Sequence, residues 1–352
     1  MSSAPAPQNR LTAVLTGAAS GISLALARSL LSLSPSTAFP GYNLLLIDLS
    51  STRLTAVCTD LRAQFGEERV DCAVADVTDY EALGRAFKQA RENGREGWNG
   101  RVDVVGAIAG ISQVFTTPDG KDPFLSSARL PDESCAEAPN VPNLKVIDVN
   151  LKGVLNTVHL AVAHFRSQVP LASPFCPSSF SSSSSSSPSL PLRGKIICAG
   201  SSASLYPFPN EPLYGASKHG VLGLVRSLAP TLYGEHIMIN AIAPSLVETG
   251  IGNPAAFDAV REKGCLTPMS TVTKAVTEVL LDWEGEGRGL TGQILELCLS
   301  HILLRLPPRV PNDDEQRCLD MIWPWEEIER SVGGWKGREG WLKRKGVEIV
   351  RE

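Results

Sequence analysis

The sequence predicts a doubly wound α/β fold built on a parallel seven-stranded sheet, with a serine-rich insertion and a C-terminal extension. Three observations predict it. Short apolar runs rich in β-branched residues alternate with helical patterns of about ten to fifteen residues, as in strand–helix–strand crossovers. The first run, Leu11 to Thr16, enters a glycine turn, Gly17-Ala-Ala-Ser20-Gly21-Ile22-Ser23, that opens a helix. The second run ends on an acidic residue, Asp48.

Composition bounds the function classes. The 352 residues are 43% hydrophobic and 20% charged, with a formal net charge of -4, ordinary values for a globular protein. That balance gives no reason to expect nucleic acid or an anionic membrane as partner. The first residues, MSSAPAPQNR, lack the basic and apolar segments of a secretory leader. No apolar run approaches the ~18 residues of a membrane span. The eight cysteines include no Cys-x-x-Cys and stand mostly in apolar surroundings, so free thiols in a cytoplasmic protein are expected over disulfides or zinc ligands. Five scattered histidines offer no metal pattern, and no metal is expected.

The elements follow in order. Leu11 to Thr16 reads as a buried strand, and the residues after Gly21 as a helix. Strand, glycine turn and helix N-terminus form a phosphate cradle: the glycines let the backbone approach a pyrophosphate, and the first N–H groups face it with the positive end of the helix dipole. Gly17, Ser20, Gly21 and Ile22 are the candidate contacts, in a Rossmann-like arrangement. Tyr42 to Leu49 is the second strand. Its Asp48 is placed to accept from both ribose hydroxyls of NAD and to repel the 2′-phosphate of NADP. No Arg or Lys lies in the glycine turn or directly after Asp48, Arg53 being the nearest, so NAD is expected over NADP. Ser50 or Ser51 is available to cap the next helix, near 52–65.

Strand three, Val70 to Ala75, ends in Asp76-Val77-Thr78, and Thr78 or Asp79 caps a helix to about Asn93. Arg101 to Gly110 is strand four. Residues 112–143 carry turn signals without a period and read as an irregular loop over the cleft. Leu144 to Gln168 is a long helix with Asn150 near its start. Residues 169–192, with serines unbroken from Ser181 to Ser187, are too poor in apolar side chains to offset ordering entropy and read as a disordered insertion within one domain. Gly194 to Ala199 is strand five and delivers Ser201 at its C-terminal end. A helix bearing Tyr214 follows, then strand six, His236 to Ala243, leading to Val247 and Thr249. A helix near 272–283 and strand seven, Gln293 to Leu297, complete a domain spanning 1–299. The charged segment 300–352, with four tryptophans, reads as an extension that packs on its own domain or on a partner subunit.

Tyr214-Gly-Ala-Ser-Lys218 carries the chemistry. Four residues apart on a helix, a phenol and an ammonium share one face. The positive charge favours the phenolate, lowering the tyrosine pKa from about 10 towards that of a useful base. Such a base can take a proton from an alcohol or return one to a ketone, and a serine hydroxyl nearby, Ser201 or its neighbour Ser202, can hold the oxygen in line.

Together these motifs resemble the short-chain dehydrogenase/reductase family over about residues 10–299, with the insertion set aside. Thr16-Gly17-Ala-Ala-Ser20-Gly21-Ile22 matches its cofactor motif and Asp76-Val77 its adenine contact. Asn150, Ser201, Tyr214 and Lys218 match its catalytic tetrad, and residues 214–229 look like the NAD-dependent 15-hydroxyprostaglandin dehydrogenase branch. The resemblance implies NAD as cofactor, Tyr214 as general acid/base, Lys218 as the group that lowers its pKa and bonds the nicotinamide ribose, and Ser201 on the substrate oxygen. It implies Asn150 positioning a relay water, Ala109 in the cofactor wall after strand four, and Val247 and Thr249 at the carboxamide. It also implies a small-molecule substrate and a homo-oligomer formed through the helices around 144–168 and 214–229. Tyr206, Phe208 and Leu246 suggest an apolar, lipid-like or secondary-metabolite substrate. Three positions depart from the pattern: Ser23 for the third glycine, Ile108 for the asparagine after strand four, and Ser245 for a glycine after Pro244. They leave open an alternative, a non-catalytic or non-redox dinucleotide-binding protein on the same fold.

Overall fold

The first strand, β1 (Leu11–Thr16), pairs in parallel with β2 (Tyr42–Asp48) on one side and β4 (Val104–Ala107) on the other, so Val14 lies opposite both Leu45 and Val105. From β1 the chain runs outward through β2 to β3 (Val70–Val74). It then crosses back to β4 and continues through β5 (Gly194–Ala199), β6 (Ile237–Pro244) and β7 (Ile294–Cys298), all parallel. The strand order therefore reverses between β1 and β4, which opens a crevice at the C-terminal strand ends. This is the predicted doubly wound architecture. The computed structural model describes residues 10–35, 39–112, 124, 128, 141–171, 191–209, 211–251, 254–283, 289–306 and 338–350.

Alternate residues of each strand enter opposite faces, and helices cover both, which is why the strands read as unbroken apolar runs. On one face Leu44 and Leu46 share a core with α1 (Gly21–Ser32), α2 (Ser51–Phe65) and α7 (Met269–Lys274). On the other, Leu45 and Ile47 join Phe87 of α3 (Tyr80–Glu92), Phe165 of α4 (Lys145–Arg166) and Val221 of α5 (Pro212–Gly234). Ser50 caps α2 by accepting from Arg53 N, and Asp79 caps α3 by accepting from Ala82 N at 2.9 Å. Asp48 is therefore not the cap of α2. By length and composition α4 could cross a membrane, but half of its apolar window is buried in the protein. It serves as a core helix through Val154, Val158, Ala161 and Phe165.

Among the described residues the sheet has nine strands rather than seven. After a turn in which Leu299 adopts φ 53°, β8 (His301–Arg305) runs antiparallel to β7, and β9 (Val347–Val350) pairs in parallel with β8. The extension expected from residue 300 thus lengthens the sheet. Its sequence concealed this because β8 is covered on one face: Ile302 and Leu304 are buried, His301 is exposed, and Arg305 ends the run. Trp341 and Leu342 of α8 (Glu339–Arg344) are buried in the same core as Ile302, Leu304 and Val347. A short helix the sequence reading missed, α6 (Pro254–Glu262), lies between β6 and α7. Most of the expected loop at 112–143, the interior of the insertion expected at 169–192, and Trp323, Trp325 and Trp335 lie outside the described residues. At the ends of the insertion, Leu171 and Leu192 pair with one another.

Candidate active site

Gly17 (φ 68°) and Gly21 (φ 56°) turn the chain at the end of β1 in the left-handed region that favours glycine. A Cβ on Gly17 would lie 2.8 Å from Ala109 Cα, and one on Gly21 3.4 Å from the Thr249 side chain. The turn, the exit of β4 and the loop after β6 can therefore close together around one cleft of about 680 Å³. Ser20 caps α1 without a hydrogen bond from its side chain, and its residue lines that cleft beside Ile22.

Asp48 closes one end. Its Oδ2 accepts from Ala19 N at 3.0 Å and its Oδ1 from Ser50 N at 2.9 Å, which pins a 9%-exposed carboxylate to the glycine turn. Asp76 accepts from the N and Oγ1 of Thr78, both at 2.8 Å. The turn brings Asp76 and Val77 into the cleft wall. Arg53 lines the same end as Asp48.

The other end holds Ser201, Tyr214 and Lys218, with Val247 and Thr249 along the wall. Pro212, whose fixed φ suits the first helical position, starts α5 two residues before Tyr214. Ser201 follows β5 and caps a tight turn, Ser202–Ser204, in which its Oγ accepts from Ala203 N at 3.2 Å while Ser204 Oγ accepts from Ser201 N at 3.0 Å. The Ser201 side chain also hydrogen-bonds Tyr214. Lys218 is buried; its Nζ donates to Ala199 O at 2.8 Å and lies 5.7 Å from the centroid of the Tyr214 ring.

The electrostatics differ from the sequence expectation. Burial raises the Tyr214 pKa above its ordinary value; the Ser201 hydrogen bond acts against this, and the Glu211 carboxylate adds to it. Lys218 is itself drawn down to about 8 by burial, with Cys198 acting weakly the other way. The expected lowering of the phenol is thus not the direction found: removal from water, with the Glu211 carboxylate, sets it, while the Lys218 ammonium points at a carbonyl.

Asn150 is fully buried at a π-helical turn of α4, Asp148–Lys152, and does not line the cleft itself. Its Oδ1 accepts from Ile111 N and its Nδ2 donates to Ile111 O, both at 2.8 Å, with a third contact to Ser217 Oγ at 3.3 Å. A Cβ on Gly110 would lie 3.2 Å from Asn150 Oδ1 and 3.5 Å from Lys218 Nζ, so Gly110 lies between the Asn150 amide and the cleft that Lys218 lines. All the other predicted site residues line it.

The departures from the family pattern have local answers. Thr16 Oγ1 donates to Gly106 O at 3.1 Å and accepts from the N–H groups of Ile108 and Ala109 at 3.0 and 3.2 Å, which ties β1 to β4 without an amide. Ile108 packs in the core. Ser245 N donates to Leu297 O at 2.8 Å. Ser23 is buried at the cleft wall, and its Oγ has no hydrogen-bond partner among the described residues.

Sequence reasoning missed Ser112 and Glu211, both buried in the cleft wall and joined by a 2.7 Å hydrogen bond. Nothing local marked them, since their partnership is purely tertiary. Of the expected substrate-side residues, Phe208 and Leu246 line the cleft and Tyr206 does not. Its hydroxyl turns to Glu296, at 3.2 Å, and to Arg305.

Residues 17–279, about three quarters of the chain, match the family model described as enoyl-(acyl carrier protein) reductase. The short-chain dehydrogenase/reductase prx7 of Penicillium rubens is 28% identical over 250 residues, which cover 71% of this chain and 75% of that protein. The chain belongs to the short-chain dehydrogenase/reductase family. The chain also shares its fold with two solved proteins. Levodione reductase superposes with a TM-score of 0.57 at 22% identity, covering 83% of this chain and 96% of that one. ElxO with NADP bound has a TM-score of 0.57 at 20% identity, over 82% and 97%. Members of the family bind a nicotinamide dinucleotide, and the glycine cradle, the open first turn of α1 and the pinned Asp48 carboxylate fit that group.

Proposed function

We propose that this dehydrogenase uses NAD to oxidise a secondary alcohol, or in reverse to reduce a ketone, and that it stands in the 15-hydroxyprostaglandin dehydrogenase-like branch. One observation carries the reading: a half-buried phenol hydrogen-bonded to a serine shares a single cleft with a carboxylate pinned for ribose hydroxyls. The bound dinucleotide supplies the hydride acceptor. Tyr214 Oη takes the hydroxyl proton while Ser201 Oγ holds the substrate oxygen beside it. Lys218 provides the neighbouring cation and a ribose contact. Asn150 fixes the Ile111 backbone against α4 and orders the proton path behind Lys218. Gly17, Ser20, Gly21 and Ile22 bind the pyrophosphate, Asp76 and Val77 the adenine, and Ala109, Val247 and Thr249 the nicotinamide half. Phe208, Leu246 and Phe257 give the substrate side an apolar wall, which favours a lipid-like or secondary-metabolite carbinol.

Partner and compartment follow the same reading: a cytoplasmic homo-oligomer joined through α4 and α5, with Leu155 of α4 exposed as a contact.

Fluorescence titration with NADH and NADPH, on wild type beside Asp48→Ala, tests the proposal. NADH is expected to bind more tightly, and the variant to lose about tenfold or more, the worth of hydrogen bonds to a charged acceptor. An NADPH preference that disappears in Arg53→Ala would instead give the cofactor choice to Arg53. Binding of neither would leave the fold without the redox role.

A further inference from the structure

Cys58 and Cys72 meet between α2 and β3, away from the proton-transfer groups. The β2–β3 register sets Leu44 against Val70 and Leu46 against Cys72. That face of the sheet lies under α2, whose buried positions are Leu54, Cys58 and Leu61. Helix periodicity and strand alternation thus aim both thiols into one layer, where Cys72 packs against the core cluster that holds Cys58, and each thiol acts on the titration of the other.

The two differ in access. Cys58 is 1% exposed, whereas Cys72 is half-buried on β3, the outermost strand at that edge of the sheet. Two guanidiniums border Cys72. Arg62 donates to Val70 O at 2.9 Å and to Asp71 at 3.2 Å, and Arg95 donates to Val70 O at 2.8 Å and pairs with Asp71 at 3.2 Å. The neighbouring Cys58 thiol, followed by these cations, draws the Cys72 thiol below its ordinary value, against its partial burial and Asp71. Reactive cysteines occupy partly exposed, electropositive surroundings of this kind.

We propose that Cys72 and Cys58 form an oxidisable pair that closes to an intramolecular disulfide, with hydrogen peroxide as oxidant. The Cys72 thiolate attacks one peroxide oxygen: an S–O bond forms, the O–O bond breaks, and the other oxygen leaves as hydroxide and is protonated to water. Cys58 then attacks the sulfenic sulfur; the S–S bond forms, the S–O bond breaks, and a second water leaves with the Cys58 proton. Two thiols are oxidised and one peroxide is reduced to two waters. The bond fastens α2 to β3 next to the strand that carries Asp48.

Reduced full-length protein is treated with a small excess of hydrogen peroxide, alkylated, digested and mapped by mass spectrometry, with no need of cofactor or turnover. The expected result is a Cys58–Cys72 linked peptide, two hydrogens lighter than its reduced parts and released by dithiothreitol. In Cys58→Ser, dimedone is expected to capture a sulfenic acid at Cys72 in place of the link, and Cys72→Ser should show neither. Cys72 left alkylatable in wild type, linked to any other cysteine, or captured by dimedone with Cys58 still in place would overturn the proposal. Because the readout is chemical, it stands or falls separately from the dehydrogenase assignment.

Discussion

Ser112 Oγ donates to Glu211 Oε2 at 2.7 Å, joining residues 99 apart in sequence. The bond ties the exit of β4 to the start of α5 three residues before Tyr214. Ile111, next to Ser112, is clamped on both backbone atoms by Asn150, whose amide also reaches Ser217. Ser217 in turn donates to Tyr214 O at 2.7 Å. Two loops and two helices are thereby held in one circuit around the phenol, with a carboxylate as part of it.

That carboxylate sets a testable pH dependence. Glu211 adds to the upward displacement of Tyr214 that burial causes. Alcohol oxidation needs the deprotonated phenol, so its rate rises with pH through the Tyr214 titration. Removing the negative charge favours the phenolate, and Glu211→Gln is expected to move the rising limb of the kcat/KM profile to lower pH. Profiles of wild type and variant on one alcohol check the direction.

Tyr214→Phe separates chemistry from binding. Loss of a positioned acid/base costs about 10²–10⁴-fold in rate, while the cofactor contacts at Gly17, Asp48 and Asp76 remain. NADH affinity is expected to stay within about twofold of wild type. Steady-state kinetics beside fluorescence titration would show the split.

Ser23 carries an uncompensated cost. A buried hydroxyl without a partner destabilises by about 1–3 kcal/mol, and Ser23 Oγ is such a group among the described residues. Ser23→Ala removes it without opening a large cavity and is expected to raise the thermal midpoint by a few degrees, read by differential scanning fluorimetry.

Arg305 links the added strand to β7 and to the loop after β5. On β8 it pairs with Glu296 of β7, 4% exposed, and with the hydroxyl of Tyr206 in the loop after β5. Truncating one partner of a buried ion pair costs about 3–5 kcal/mol. Arg305→Ala is expected to lower the denaturation midpoint, whereas Arg305→Ala combined with Glu296→Gln should recover part of the loss, because the stranded charge is gone.

Much of this molecule was legible in its sequence for identifiable reasons. Strands buried on both faces must be apolar throughout, so LTAVLT and GKIICA declare themselves within a residue or two of their ends. The glycine turn is legible because Gly17 and Gly21 adopt positive φ where a side chain would meet Ala109 or Thr249. By contrast β8 is half-solvated, and the turn before it places Leu299, not glycine, at φ 53°. No local pattern announces such a hairpin. Tyr206 was misplaced for the same kind of reason, since an aromatic residue after Ser201 gives no sign that Arg305 will draw it away from the cleft.

The sequence by itself determined the order of elements from β1 to β7 apart from α6, the spacing of Ser201, Tyr214 and Lys218, and the acidic end of β2, because these depend on local periodicity and on neighbours a few residues apart. Tertiary structure decided the rest. It brought Ser112 to Glu211 and Cys58 to Cys72, and it set Asn150 one layer behind the cleft wall. It also turned the balance at Tyr214 upward, because burial and long-range charge act through space and not along the chain.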